Sequence, residues 1–275
     1  MGFIERFRTL CGGSRALAWL LTVTAGSALL LWIVGLAARL TGHVGDGPGL
    51  WLGVPSDITL LPSRPWTLLT YMLVHTNPLH LLFNLLWLYW FGRMLADVAS
   101  DRQMLWIFVG SGVAGGVLYS VSSAFGGYTG AYLAGDSAAV LGVMAATALL
   151  MPSRRIGLFL IGEVKLKWVA LACILLTLLG SGGGVAPQAA HIGGALAGGV
   201  WALVRKGYIR LPQTRTRRNR GRKVNAKATI RAINRSISDS ERLDQLLDKI
   251  RVSGYESLSA REKAELNHIS SRIED

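Results

Sequence analysis

Charge is what this sequence lacks most: only 16% of its 275 residues are Asp, Glu, Lys or Arg, where a soluble domain carries about 25%. That shortage excludes an ordinary water-facing surface over most of the chain. Acidic residues are missing altogether from 205–235, where twelve Lys or Arg stand, a segment that nearly accounts for the formal net charge of +13. Cysteine is almost absent. Cys11 lies in a basic N-terminal segment and Cys173 in an apolar run, which gives no framework for a structural disulfide. Neither has a second Cys or His at ligand spacing, so no metal site is expected. The first apolar stretch, 16–38, is longer than the roughly 7–15 residues of a secretory core and has no small-residue cleavage site behind it. It is expected to remain as a first transmembrane helix.

What is present is apolar: 51% of residues are hydrophobic and the mean hydropathy is +0.39. Six segments meet or approach the roughly 17–25 residues a spanning helix needs: 16–38, 79–96, 103–122, 131–151, 168–180 and 188–204. The fifth is short, and its amphipathic approach, 155–167, is expected to supply part of the span. Lys and Arg set the orientation. They mark the N-terminus, the 93–102 and 152–167 connections and the tail, whereas 123–130 and 181–187 have none and 41–65 has only Arg64. The expected fold is an all-α polytopic membrane protein of six helices with both termini cytoplasmic. Residues 1–204 form that membrane domain, 205–238 a basic cytoplasmic linker and 239–275 a small helical appendage.

Local signals refine this outline. The loop 41–65 is rich in Gly and Pro yet carries Leu50, Trp51 and Leu52, with Trp66 and Tyr71 just beyond, a mixture that settles at a membrane interface. Asn77–Pro78 reads as the N-cap and first residue of the second long helix. Trp87, Tyr89 and Trp90 near its other end read as an aromatic belt. In the tail, Leu243, Leu246, Leu247 and Ile250 follow a helical period, and Ser259 with Glu262 forms a capping box ahead of a second short helix.

Polar residues within membrane helices are costly and face cavities. Here they are His80 and Asn84, Asp136 and Ser137, and His191. With helices starting at 131 and 188, Ser137 lies about six residues in and His191 about three, so that all five fall within roughly the outer 10 Å. A serine hydroxyl needs a base within hydrogen-bond reach before it attacks. His191 is flanked by Gly193, Gly194 and Gly198, and Ser137 is followed by Ala138, Gly142 and Ala146, a small-residue spacing that lets two helices touch. The Ser137 amide at a helix N-terminus, with His80 and Asn84 one turn apart, would supply donors for a tetrahedral oxyanion.

The run from His75 through Asn77, Pro78 and His80 to Asn84, then Gly135-Asp136-Ser137, then Ala190-His191-Ile192-Gly193-Gly194 with Gly198, resembles the rhomboid family of intramembrane serine proteases. The likeness covers about half the chain, from Trp66 to Val204. It implies a catalytic dyad of Ser137 and His191 with no acidic third member, an oxyanion site that includes His80 and Asn84, and supporting places for His75, Gly135, Trp66 and Gly194. It also implies peptide hydrolysis in transmembrane protein substrates near the outer face, in a bacterial inner membrane, with no metal or cofactor. The segment from Leu247 to Ser259 is similar to a cytoplasmic appendage of some bacterial rhomboids. Thr67, Ala138 and Leu141 stand where the family often has Arg, Gly and Tyr, and Asp136 is unusual between the Gly and the Ser.

Other chemistries fit less well. His75 and His80 are five apart, not four with an adjacent Glu as in a helical zinc protease. An aspartyl protease needs a second buried acid, and no other Asp or Glu falls inside an expected span. The rival from another class is a catalytically silent rhomboid-like protein that escorts membrane clients, which has no need of both Ser137 and His191. For the basic segment 205–235, anionic lipid headgroups suit a juxtamembrane cluster better than nucleic acid does. Asp136, beside Ser137, is expected to exploit the positive end of a helix dipole rather than to approach His191.

Overall fold

Short polar residues and glycines decide where the long helices begin and end. The computed structural model describes residues 2–42, 49–126, 132–158, 162–180, 184–209 and 242–273, and the chain divides into two compact units, Met1–Leu211 and Pro212–Asp275. The first unit holds α1 (Phe3–Leu10), α2 (Arg15–Leu40), the short turns α3 (Gly49–Leu52) and α4 (Thr67–Thr70), then α5 (Pro78–Ala96), α6 (Asp101–Gly126), α7 (Ser137–Leu150), α8 (Leu166–Gly180) and α9 (Val185–Arg205). Ser14 caps α2 by accepting from the Leu17 amide at 3.1 Å and donates to Asp101 Oδ1 at 2.6 Å. The starts of α2 and α6 are thereby tied together. Asn77 caps α5 as its sequence predicts, accepting from the Leu79 and His80 amides at 2.8 and 3.2 Å, with Pro78 at the first helical position.

Each expected apolar segment contains a helix, but several boundaries differ, two of them with consequences for the fold. The fourth helix begins at Ser137 and not at 131. Tyr132–Leu133 (β2) pairs antiparallel with Val54–Pro55 (β1) of the first loop, Val54 opposite Leu133. Gly135 then adopts φ +103°, a left-handed conformation open to glycine but not to a continuing helix. Ser137 is therefore the first helical residue, and His191 is well inside α9, which starts earlier than expected, at Val185. Residue 131 itself lies outside the described residues. The approach 155–167 is the second difference. It forms an antiparallel hairpin, β3 (Arg155–Leu158) with β4 (Gly162–Lys165), Ile156 opposite Val164. Apolar and polar residues alternate along it, the period of a strand, and Gly162 at φ +86° suits the turn. α8 is left with 15 residues.

Among the described residues, Arg15–Leu40 and Asp101–Gly126 are long and apolar enough to cross a bilayer, and Ser137–Leu150 and Leu166–Leu179 are apolar but shorter. Trp19, Leu29, Leu30, Ile33 and Leu36 on α2 and Leu175, Leu176 and Leu179 on α8 all face outward. Water would penalise such rows of exposed large side chains, whereas hydrocarbon would not. At the centre stands α7, buried on nearly every side, as befits a helix that is apolar all round.

Missing side chains make that centre close. A Cβ added at Gly194 would collide with the Ala138 backbone, one at Gly198 with the Gly142 backbone, and one at Gly115 with Ala138 Cβ at 2.5 Å. Backbone meets backbone, so no rotamer change makes room. Gly198→Val is expected to cost about 1–3 kcal/mol of stability by overpacking and to force α9 off α7. A thermal unfolding series in detergent checks this, and an unchanged midpoint would refute it.

In the second unit, a helix through 242–253 (α10) and α11 (Ala260–Ile273) flank a turn at Gly254, φ +79°. The expected capping box is present: the Glu262 amide donates to Ser259 Oγ at 3.3 Å and the Ser259 amide to Glu262 Oε2 at 2.8 Å. Lys249 adds an ion pair to Glu262 at 2.9 Å. The Lys249 ammonium and the Ser259 donors hold the Glu262 carboxyl down at about 2. Being depressed, it keeps the cap in place above the ordinary carboxylate range and releases it only as pH falls towards that value. Among the described residues of the unit, Leu246 and Leu258 are buried apolar side chains.

Candidate active site

Ser137 owes its position to the break before it. The Gly135 amide donates to the Tyr71 carbonyl at 2.9 Å, pinning the segment ahead of α7 to the turn that precedes α5. Asp136 takes the N-cap position and Ser137 the first turn, where backbone amides have no acceptor within the helix. α9 crosses α7 at the small-residue contact of Ala138 with Gly194, one turn beyond His191. The crossing places Ser137 Oγ 2.7 Å from His191 Nε2. Each residue is only 7% exposed. His191 Nδ1 is enclosed and has no hydrogen-bond partner among the described residues, so the pair stands without a third member.

The second cluster lies on α5 and the segment before it. Asn84 Nδ2 is 3.3 Å from His80 Nε2 and 3.3 Å from His75 Nε2. The two imidazoles lie with centroids 5.9 Å apart. Gly135 closes against His80, since a Cβ there would come within 2.9 Å of His80 Cε1. Glycine at 135 is thus required twice, by conformation and by space. His75 is buried within the protein at 2% exposure.

Asp136 keeps its expected place at a helix N-terminus, away from His191, and adds contacts the sequence did not show. It sits at the N-terminus of α7, but its carboxylate caps no amide there. It turns inward to complete burial, where Oδ1 lies 3.0 Å from His75 Nε2 and Oδ2 accepts from Thr24 Oγ1 at 3.1 Å. Thr24 belongs to α2, as do two further donors to the same region: Ser27 Oγ donates to the Leu73 carbonyl at 3.1 Å and Trp32 Nε1 to the His75 carbonyl at 2.6 Å. Sequence reasoning missed this contribution. The available signal was Thr24 and Ser27, one turn apart in a helix whose other polar residues are Thr22 and the terminal arginines.

Trp66 belongs to the first loop, donating from Nε1 to the Trp51 carbonyl at 3.0 Å, while the Arg64 guanidinium lies 4.6 Å from the Trp51 ring centroid. Among the described residues no group of three or more His, Cys, Asp or Glu is arranged to hold a metal ion.

Comparison with known proteins bears on the domain that holds these residues. The rhomboid domain matches residues 62–207, just over half of the chain. A family of unknown function, DUF6576, matches 234–272, a stretch that covers α10 and all but the last residue of α11. Rhomboid protease GlpG of Haemophilus influenzae is 32% identical over 95 residues, covering 31% of this chain and 44% of its own length. The protein of the same name from Salmonella typhimurium is 29% identical over 123 residues, covering 42% of this chain and 44% of its own length. The chain thus spans less than half the length of these relatives. A domain match over more than half of its residues shows that this chain belongs to the rhomboid family of integral membrane proteins.

Proposed function

We propose that the protein is an intramembrane serine endopeptidase that cuts transmembrane protein substrates near the outer membrane face. The observation that carries this reading is the 2.7 Å contact of Ser137 Oγ with His191 Nε2, buried where two helices meet through glycines. Ser137 Oγ attacks the scissile carbonyl while His191 Nε2 takes its proton. The oxyanion accepts from the Ser137 amide and from Asn84 Nδ2, with His80 beside it. His191 then passes the proton to the leaving amine, and water, activated by the same imidazole, releases the acyl group. Among the described residues His191 Nδ1 has no partner, so in this reading the imidazolium relies on packing and not on a carboxylate.

In this reading the six apolar helices α2 and α5–α9 cross the membrane, with both termini in the cytoplasm of a bacterial cell. Residues 1–204 are the catalytic domain, 205–238 a basic linker and 239–275 an appendage. The direct test is covalent labelling of the purified protein by a fluorophosphonate. Wild type is expected to label and Ser137→Ala not to; equal labelling would end the serine mechanism and return the silent, client-binding reading.

The basic stretch 205–235 is assigned to anionic lipid headgroups. As a synthetic peptide it should bind vesicles containing phosphatidylglycerol and lose affinity as salt rises, each basic residue near the surface contributing roughly 1 kcal/mol. Flotation with neutral vesicles is the control, and equal binding to both would contradict the assignment.

A further inference from the structure

Asp136 is the one fully buried acid beside the proposed nucleophile, and the steps above make no use of it. Its partners define a competition. His75 Nε2 is 3.0 Å from Asp136 Oδ1 and also 3.3 Å from Asn84 Nδ2, and one ring nitrogen cannot serve both. With a proton, Nε2 donates to the carboxylate; without one, it accepts from the Asn84 amide. An ionised carboxylate only accepts, so it selects the first state. The other ring nitrogen agrees: His75 Nδ1 is buried with no partner among the described residues. A proton there would be a stranded donor, with the desolvation of a buried N–H left uncompensated. Thr24 Oγ1, donating to Oδ2 at 3.1 Å, holds the carboxylate in place.

Resting on the protease reading, we propose that Asp136 and Thr24 are positioning residues for the oxyanion site. They fix His75 as the Nε2-protonated tautomer, so His75 cannot capture the Asn84 amide. The Asn84 N–H then stays available for the oxygen of the tetrahedral intermediate. Asp136 acts through His75 and touches neither substrate nor the dyad base. The arrangement also gives α2 a part in the chemistry, since Thr24 orients the acid and Trp32, through the His75 carbonyl, anchors the segment that carries the imidazole.

Asp136→Asn tests this, because a neutral amide of the same size no longer demands a proton on His75 Nε2. With a reporter transmembrane substrate, kcat is expected to fall about tenfold with KM within about twofold, a fraction of the loss on deleting a donor outright. In an Asn84→Ala background the same substitution should change kcat by less than about twofold, since the residue it acts through is gone. A purely structural pair would lower both backgrounds equally. Equal losses in the two backgrounds, a change confined to KM, or an unchanged kcat when Asp136→Asn stands alone each overturn the proposal. Should Asp136→Asn fold poorly, Thr24→Val repeats the comparison, and nitrogen-15 NMR of labelled histidine in the wild type reads the tautomer directly. A proton on His75 Nδ1 and not Nε2 refutes the proposal without any kinetic measurement. Absence of Ser137-dependent cleavage in the wild type would instead mark failure of the protease reading, a different outcome from additive losses in an active enzyme.

Discussion

Ser137→Ala and His191→Ala are each expected to abolish cleavage of a reporter transmembrane substrate, and the double variant to be no slower than either. The reason is geometric. At 2.7 Å the hydroxyl and the imidazole act as one unit: the base has nothing to activate without the nucleophile, and the hydroxyl is inert without the base. Members of such a unit are strongly non-additive, and losing one typically lowers kcat by roughly 10⁴-fold or more. Both substitutions remove polar atoms from buried positions and leave the glycine contacts between α7 and α9 intact, so the fold should survive. Single-turnover assays in detergent and in vesicles, with circular dichroism as the folding control, make the comparison. Turnover by purified Ser137→Ala above about a hundredth of wild type would be incompatible with the mechanism.

Asn84→Ala is expected to show the second-largest effect, a fall in kcat of roughly 10²–10³ with little change in KM. Asn84 is buried on α5 with its amide nitrogen between His75 and His80, and on the proposed mechanism it would act on the oxygen as negative charge develops. His80→Ala should move kcat in the same direction and by less, because one of its roles is to orient Asn84. The split between kcat and KM is the informative measurement. A rise in KM at constant kcat would make Asn84 a substrate-binding residue and remove it from the oxyanion site.

Much of this arrangement was legible in the sequence. The apolar segments marked the long helices. Asn77–Pro78 marked the start of α5, and the small residues after Ser137 and His191 marked the crossing that joins them. These signals are local, or depend on one helix recognising another by its own spacing. What was not legible depends on distant partners. Residues 132–133 look like the beginning of an apolar helix until Val54–Pro55 pairs with them, and nothing near Tyr132 announces that strand. The hairpin at 155–165 has both a helical and a strand pattern within a few residues, and the turn at Gly162 settles it. Asp136 could be placed at a helix N-terminus from sequence, but not beside His75, because that contact needs the fold of α2, α5 and α7 together.

The brevity of α7 makes membrane thickness a chemical variable. Its 14 residues rise only about 21 Å, against a hydrocarbon core of about 30 Å. If α7's far end reaches the opposite interface, Ser137 at its first turn sits several ångströms beneath a flat lipid surface. Either the bilayer thins around the protein or water descends to the serine through a depression walled by protein. On the proposed reading water is a reactant, so the same shortness that would set Ser137 below the lipid surface would also have to provide its solvent. Local membrane deformation then belongs to the catalyst as much as any side chain does.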